Sequence, residues 1–126
     1  MKFVRTLFVL LSFLTATSVY ALEIIPYTPA ALAQARQSGQ SYALHFHADW
    51  CPVCRAQSKV LEELKADPSL KVTVLVVNYD KEKALRKPYG VHTQSTLIAF
   101  KGKQETGRLA GESAPEKIRA LLASAL

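Results

Sequence analysis

The stretch HFHADWCPVC, residues 45–54, decides the predicted fold of this 126-residue chain. It begins in the run Ser41–His47, whose aromatic and aliphatic residues are typical of a β-strand. It ends in a predicted helix, because Pro52 is tolerated in a first helical turn and apolar residues then recur at helical spacing. The two cysteines, Cys51 and Cys54, therefore lie where a strand passes into a helix.

The C-x-x-C spacing at this junction predicts thiol chemistry. A helix N-terminus presents free N–H groups and the positive end of the helix dipole, which favour a thiolate over a thiol. We expect Cys51 to be exposed and to attack a substrate disulfide, and Cys54 to face the body of the protein and resolve the mixed disulfide. A disulfide between them closes only a tiny loop, so it is not a structural cross-link of the domain.

Strands and helices alternate along the chain, in the predicted order β-α-β-α-β-α-β-β-α. Alternation indicates parallel strands covered by helices, and the last two strands form an antiparallel hairpin. The predicted fold class is α/β, a mixed central sheet flanked by helices on both faces. The predicted strands cover residues 22–26, 41–47, 71–79, 95–100 and 105–109, and the helices cover 30–38, 52 to the Asp67-Pro68 stop, 81–87 and 114–123, the last with a capping box of Ser113 and Glu116.

The N-terminal residues 1–21 are typical of a secretory signal peptide. Lys2 and Arg5 supply its positive charge, and the apolar run that follows is shorter than the ~20 residues that span a bilayer. We expect cleavage after Ala21, export to the periplasm or the medium, and one domain at residues 22–126. An uncleaved N-terminal membrane anchor is the alternative.

Composition and charge narrow the class of protein. Apolar residues make up 49% of the chain and charged residues 21%, as in a folded domain with a core and unlike a disordered chain. The formal charge of +6 falls by two if Lys2 and Arg5 are removed with the signal peptide. Because the other basic residues are scattered along the sequence, we expect no nucleic-acid partner.

The stretch at residues 45–54 resembles the active-site segment of the thioredoxin family, and residues 89–97 resemble the family's loop that faces the disulfide. The resemblance extends over residues 22–126 and implies a thioredoxin fold with Trp50 beside the reactive cysteine. It implies a thiol–disulfide oxidoreductase that needs no bound cofactor beyond its own Cys51–Cys54 disulfide. It also implies protein dithiol or disulfide substrates and a redox partner protein, in the membrane or outside it. We expect a monomer.

Two positions depart from the family pattern. Ser95, which follows Gln94, stands where the family usually has a cis-proline. We expect a cis Gln94–Ser95 peptide bond, the alternative being a loop relaxed to trans. We also expect a Ser95 hydroxyl within reach of a thiolate, the alternative being a loop serine without a role. His45 stands where thioredoxin has a buried acid, and Val76 where it has a lysine. His45 is either the proton acceptor for Cys54 or a core histidine with a satisfied hydrogen bond.

Two other functions fit the same cysteines. In the first, Cys51 and Cys54 hold a metal or an iron–sulfur cluster together with one or two histidines or a second chain. The histidines available are His45, His47 and His92. In the second, the domain is a redox-inactive scaffold. The Pro52-Val53 pair between the cysteines leaves the direction of exchange and the reduction potential open.

Overall fold

The computed structural model describes residues 21–126, so the predicted signal peptide lies outside the described residues except for Ala21. Its elements follow the predicted order. They are β1 (Glu23–Pro26), α1 (Pro29–Gln37), β2 (Ser41–His47), α2 (Pro52–Leu64), β3 (Thr73–Asn78), α3 (Lys83–Arg86), β4 (Thr96–Lys101), β5 (Gln104–Ala110) and α4 (Pro115–Ala123).

The five strands form one mixed sheet with the order β1-β3-β2-β4-β5. β3 pairs in parallel with both β1 and β2, whereas β4 is antiparallel to β2 and to β5. β2 is therefore a central strand, and buried residues alternate between its two faces. The predicted fold class, a mixed sheet with helices on both faces, is confirmed.

Each face of the sheet carries its own hydrophobic core. On one face α2 and α4 pack through Val60, Leu61, Ile118 and Leu122 against strand residues such as Val74. On the other face α1 and α3 cover a cluster of aromatic and aliphatic side chains: Leu32, Ala35, Tyr42, Leu44, Phe46, Leu75, Val77, Ile98 and Phe100, with Leu85 at its edge. Because both faces of β2 and β4 are buried, these strands read as nearly continuous apolar runs.

Local sequence signals set several ends of elements. The Thr28 hydroxyl caps α1 by accepting a hydrogen bond from the Ala31 N–H at 3.0 Å. Gly39 follows α1 with φ +68°, a left-handed conformation in which glycine has no steric cost. β3 ends at Asn78, whose side-chain oxygen accepts from the N–H groups of Asp80 and Lys81. This turn makes β3 shorter than the predicted strand at 71–79.

The predicted capping box of the last helix is wrong. Pro115 occupies the first helical position, so the N-cap is Ala114, whose side chain has no atom that accepts a hydrogen bond. Glu112 acts instead, since one of its carboxylate oxygens accepts from the Ala114 N–H at 2.9 Å and the other pairs with Lys117 at 2.7 Å. The predicted helix at 81–87 is also shorter, at Lys83–Arg86.

The two ends of the sheet carry different parts of the chain. Glu23 and Tyr42 both pair with Thr73, so the described chain enters the sheet level with the start of β2. His47, at the other end of β2, lies roughly 17 Å from Tyr42 at about 3.3 Å per strand residue, and Cys51 follows beyond it. Across residues 21–126, no helix has the length and apolar character needed to cross a membrane.

Candidate active site

The helix α2 begins at the first sulfur. Cys51 is its N-cap, with Pro52 at the first helical position, and its sulfur accepts a hydrogen bond from the Cys54 N–H at 3.2 Å. The Arg55 N–H in turn donates to the Cys51 carbonyl at 3.1 Å. The predicted strand-to-helix junction is confirmed, and it places Cys51 where free N–H groups and the helix dipole favour negative charge.

The hydrogen bonds at Cys51 favour its thiolate. Burial by itself would raise the pKa of Cys51, but the donors around it outweigh burial and lower the pKa below its ordinary value. These donors are the Cys54 thiol, the N–H groups of Cys54 and Val53, and the side chain of Gln94. Gln94, predicted as a supporting residue, is therefore in contact with the first sulfur.

Cys54 is the opposite case. Burial is the largest cause that raises the pKa of Cys54, to about 11, and its hydrogen bond to Cys51 acts in the same direction. The N–H groups of Ala48 and Ser95 partly offset this rise. The two sulfurs thus form an anion and the thiol that donates to it.

The exposure predicted for Cys51 is wrong. Cys51 is only 2% exposed and Cys54 is fully buried, whereas the neighbouring Trp50 is 58% exposed. Cys51 packs in a small cluster with Ala48 and Cys54, and Val53 lies against that cluster. The Trp50 indole N–H donates to the Asp80 carboxylate at 2.8 Å, which fixes the ring beside the cysteine pair.

The predicted cis peptide bond before Ser95 is wrong, since every peptide bond in residues 21–126 is trans. Ser95 instead adopts φ +59°, the left-handed region. Its N–H donates to the Phe46 carbonyl at 2.9 Å, and its carbonyl accepts from the Gly111 N–H at 3.0 Å. These backbone bonds fix the loop without a cis bond. The Ser95 N–H lowers the pKa of Cys54, whereas its hydroxyl forms no hydrogen bond to either sulfur in residues 21–126.

Ser95→Gly tests this backbone conformation. A non-glycine residue in the left-handed region costs about 1–2 kcal/mol, which glycine avoids, while glycine loses about 0.5–1 kcal/mol more to chain entropy. We therefore expect the free energy of unfolding to stay equal or to rise by up to about 1 kcal/mol. The measurement is urea unfolding of the reduced protein, with Ser58→Gly in the interior of α2 as the control that should lose about 1 kcal/mol. A loss as large at Ser95 would contradict the strained conformation.

His45 is fully buried beneath α2. Its Nε2 lies 2.9 Å from Oε1 of Gln57, and its Nδ1 has no partner among the described residues. Burial lowers the pKa of His45 to about 4, and the nearby His47 adds to this effect, so the ring is neutral at neutral pH. Val76 pairs with His45 across the sheet. The role of His45 as proton acceptor stays a prediction.

Sequence reasoning missed Gln57. This residue is fully buried on α2 and hydrogen bonds to His45, to the Ser95 carbonyl and to the Glu112 carbonyl. A signal was present, because Cys54, Gln57 and Leu61 follow one another at spacings of three and four on one helix face. A polar residue on that buried stripe needs partners, and these are what the structure supplies.

The metal alternative gains no support. His47 bonds to Asp49 at 2.9 Å and to Ser58 at 3.3 Å, so it belongs to a polar cluster beside the cysteines. Within residues 21–126, no three histidine, cysteine, aspartate or glutamate side chains are grouped closely enough to hold a metal ion.

The sequence pattern of the family described as Thioredoxin matches residues 25–124. A thioredoxin from Alicyclobacillus acidocaldarius subsp. acidocaldarius is 35% identical over 79% of this chain and 94% of its own length. A thioredoxin from Staphylococcus aureus (strain Mu50 / ATCC 700699) is 31% identical over 80% of this chain and 96% of its own length. The crystal structure of Trxlp from Edwardsiella tarda EIB202 has 39% sequence identity and a TM-score of 0.75, covering 79% of this chain and 98% of that chain.

Proposed function

Because the chain belongs to the thioredoxin family and is a thiol–disulfide oxidoreductase, we propose that Cys51 is its attacking residue and Cys54 its resolving residue. The observation that carries this assignment is the opposed acidity of the two thiols. The pKa of Cys51 is lowered, so it supplies a thiolate, while the pKa of Cys54 is raised to about 11, so it keeps its proton until it is needed.

The exchange proceeds in two displacement steps that conserve electrons. The Cys51 thiolate attacks one sulfur of a substrate disulfide, and the other substrate sulfur leaves as a thiolate. Cys54 then gives up its proton and attacks the Cys51 sulfur of the mixed disulfide. The substrate leaves with two thiols, and its two electrons come from the cysteine pair, which is now a disulfide. The reverse sequence oxidises a substrate dithiol, and the protein needs no cofactor beyond this disulfide.

Access to Cys51 requires a local rearrangement. The sulfur is shielded in the reduced protein, and the Gln94 side chain hydrogen bonds to it. An incoming disulfide takes the place of this side chain, which lies on a loop and not within a strand or helix. The exposed Trp50 ring beside the pair offers an apolar surface to the substrate chain.

The proposed substrates are exported proteins, and a separate dithiol or disulfide protein returns the cysteine pair to its starting state. The positive residues, short apolar run and small residues of positions 1–21 support export, with cleavage after Ala21. The proposed active unit is a monomer of the domain at residues 22–126. An exported compartment is oxidising. If the cysteine pair reduces substrate disulfides, a dithiol partner must return its two electrons, and if it oxidises substrate dithiols, a disulfide partner must accept them.

Trapping tests both parts of this proposal. In the full chain, Cys54→Ala leaves the mixed disulfide at Cys51 unresolved, so partner proteins should stay covalently attached and be released by a reductant. We expect the trapped proteins, identified by mass spectrometry, to be exported proteins with cysteines. The control with both Cys51→Ser and Cys54→Ala should trap none. Partners confined to the cytoplasm would contradict export, and an absence of partners would contradict the exchange itself.

A further inference from the structure

Gln57 connects three parts of the molecule. Its side-chain nitrogen donates to the Ser95 carbonyl at 2.9 Å and to the Glu112 carbonyl at 2.8 Å, and its side-chain oxygen lies 2.9 Å from His45 Nε2. Gln57 lies one turn after Cys54 on α2. The helix that carries both sulfurs is thereby joined to the loop that contacts them.

The hydrogen-bond donors and acceptors fix the orientation of this side chain. Both N–H bonds of the Gln57 amide are used by carbonyl oxygens, and a reversed amide would place its oxygen against those two carbonyls. The Gln57 oxygen must therefore accept, so His45 carries its proton on Nε2 and donates. His45 Nδ1 is then a bare acceptor, in agreement with its lack of a partner among the described residues.

The loop held by Gln57 contributes to the charge state of both sulfurs. Ser95 is in the left-handed region at φ +59°, and among the described residues its carbonyl accepts from two donors, the Gln57 side chain and the Gly111 N–H. The side chain of Gln94, the preceding residue, lowers the pKa of Cys51, and the Ser95 N–H, which donates to the Phe46 carbonyl at 2.9 Å, lowers the pKa of Cys54. Without Gln57 the strained residue loses one of these two donors, and its neighbours lose their alignment with the sulfurs.

We propose that Gln57 is a positioning residue for disulfide exchange, because it holds the 94–95 loop against the two sulfurs in a trans, left-handed conformation. This role rests on the proposed function of Cys51 and Cys54. Gln57 does not touch a sulfur among the described hydrogen bonds. It acts through Ser95, and through Ser95 on Gln94.

The test measures the Cys51 thiolate in Gln57→Leu. Leucine has a similar size, but it is apolar and removes all three hydrogen bonds. The pH dependence of alkylation by iodoacetamide, followed by mass spectrometry of the modified cysteine, gives the pKa of Cys51. We expect this pKa to rise by about one unit, the size of effect expected when a thiolate loses a hydrogen-bond donor. The rate of alkylation at pH 7 should fall accordingly.

A matched control separates positioning from stability. Val60→Ala removes a buried side chain one turn further along the same helix, away from the loop. It should lower the free energy of unfolding without changing the pKa of Cys51. If Gln57→Leu lowers stability but leaves the pKa unchanged, as in this control, Gln57 is merely structural and the proposal is overturned. Gln57→Met, with an unbranched side chain that fills the same space, replaces Gln57→Leu if the latter does not fold.

A double variant provides a rescue. Glycine adopts φ +59° without strain, so Ser95→Gly in the Gln57→Leu background should bring the pKa of Cys51 back toward the wild-type value. An undiminished rise in the double variant would overturn the route through Ser95. Thiol titration does not depend on disulfide exchange. A wild-type protein that exchanges no disulfides but shows the Gln57-dependent pKa would therefore refute the proposed function and leave the placement of the loop by Gln57 standing.

Discussion

Cys51→Ser is expected to lower disulfide exchange by at least about a thousandfold, because removal of the attacking nucleophile has effects of this size or larger in covalent catalysis. Serine retains the shape of the N-cap and can still accept from the Cys54 N–H, so the fold should persist. Its hydroxyl does not ionise near neutral pH and cannot attack a disulfide. The measurement is the rate at which the pre-reduced protein, with no other thiol present, releases a coloured thiol from a small aromatic disulfide.

Cys54→Ser is the matched control for this prediction. Cys51 keeps its N–H donors from Val53 and Cys54, so the variant should still release one equivalent of coloured thiol in a single burst. The second equivalent of coloured thiol, which the resolving step releases, should be lost, because the mixed disulfide at Cys51 has no neighbouring thiol to displace the product. If Cys51→Ser releases the coloured thiol as fast as the wild type, or shows the burst that Cys54→Ser lacks, the assignment of the two roles is contradicted.

The second large effect is a loss of stability in mild acid. His45 has a pKa of about 4 in the folded protein because it is buried, against 6.5 in an unfolded chain. Between these values the unfolded state binds a proton that the folded state does not, so the free energy of unfolding falls as the pH decreases from 6.5 to 4. The contribution of the neutral His45 to the free energy of unfolding is fully present above pH 6.5. Near pH 4 the loss of this contribution reaches about 3 kcal/mol.

Urea unfolding at a series of pH values measures this slope. His45→Leu should flatten it between pH 6.5 and 4, even though the variant is less stable at neutral pH, where the Gln57 oxygen loses its donor. The exposed His92 provides the control, and His92→Gln should leave the slope as it is in the wild type. If the slope persists in His45→Leu, the acid sensitivity arises elsewhere and the low pKa of His45 is refuted.

The local signals of the sequence were sufficient for the order of the elements and for the start of α2. Pro52 after a central apolar strand predicts a helix that begins at Cys51, and Thr28 and Gly39 mark the two ends of α1. These predictions depend on residues close together in the chain. Propensities, caps and glycine conformations act over such short ranges, so a single sequence contains them.

The features that sequence reasoning missed depend on residues far apart in the chain. Gln57 appears polar and unremarkable until the fold brings the carbonyls of Ser95 and Glu112 to it. The loss of the capping box is an exception, because Ala114 and Pro115 are local to that helix start. The loop at Ser95, by contrast, is held by the Phe46 carbonyl and the Gly111 N–H, which lie far from it in the chain. None of these partners is fixed by local propensity.

The placement of the chain's entry point and the sulfurs at opposite ends of the sheet has a practical consequence. Glu23 enters level with Tyr42, while Cys51 follows the far end of β2. A linker that joins residue 22 to a resin would therefore leave the end of the sheet that carries the cysteine pair facing away from the support. The domain is suited to use as an immobilised redox reagent, in which the support does not obstruct incoming proteins.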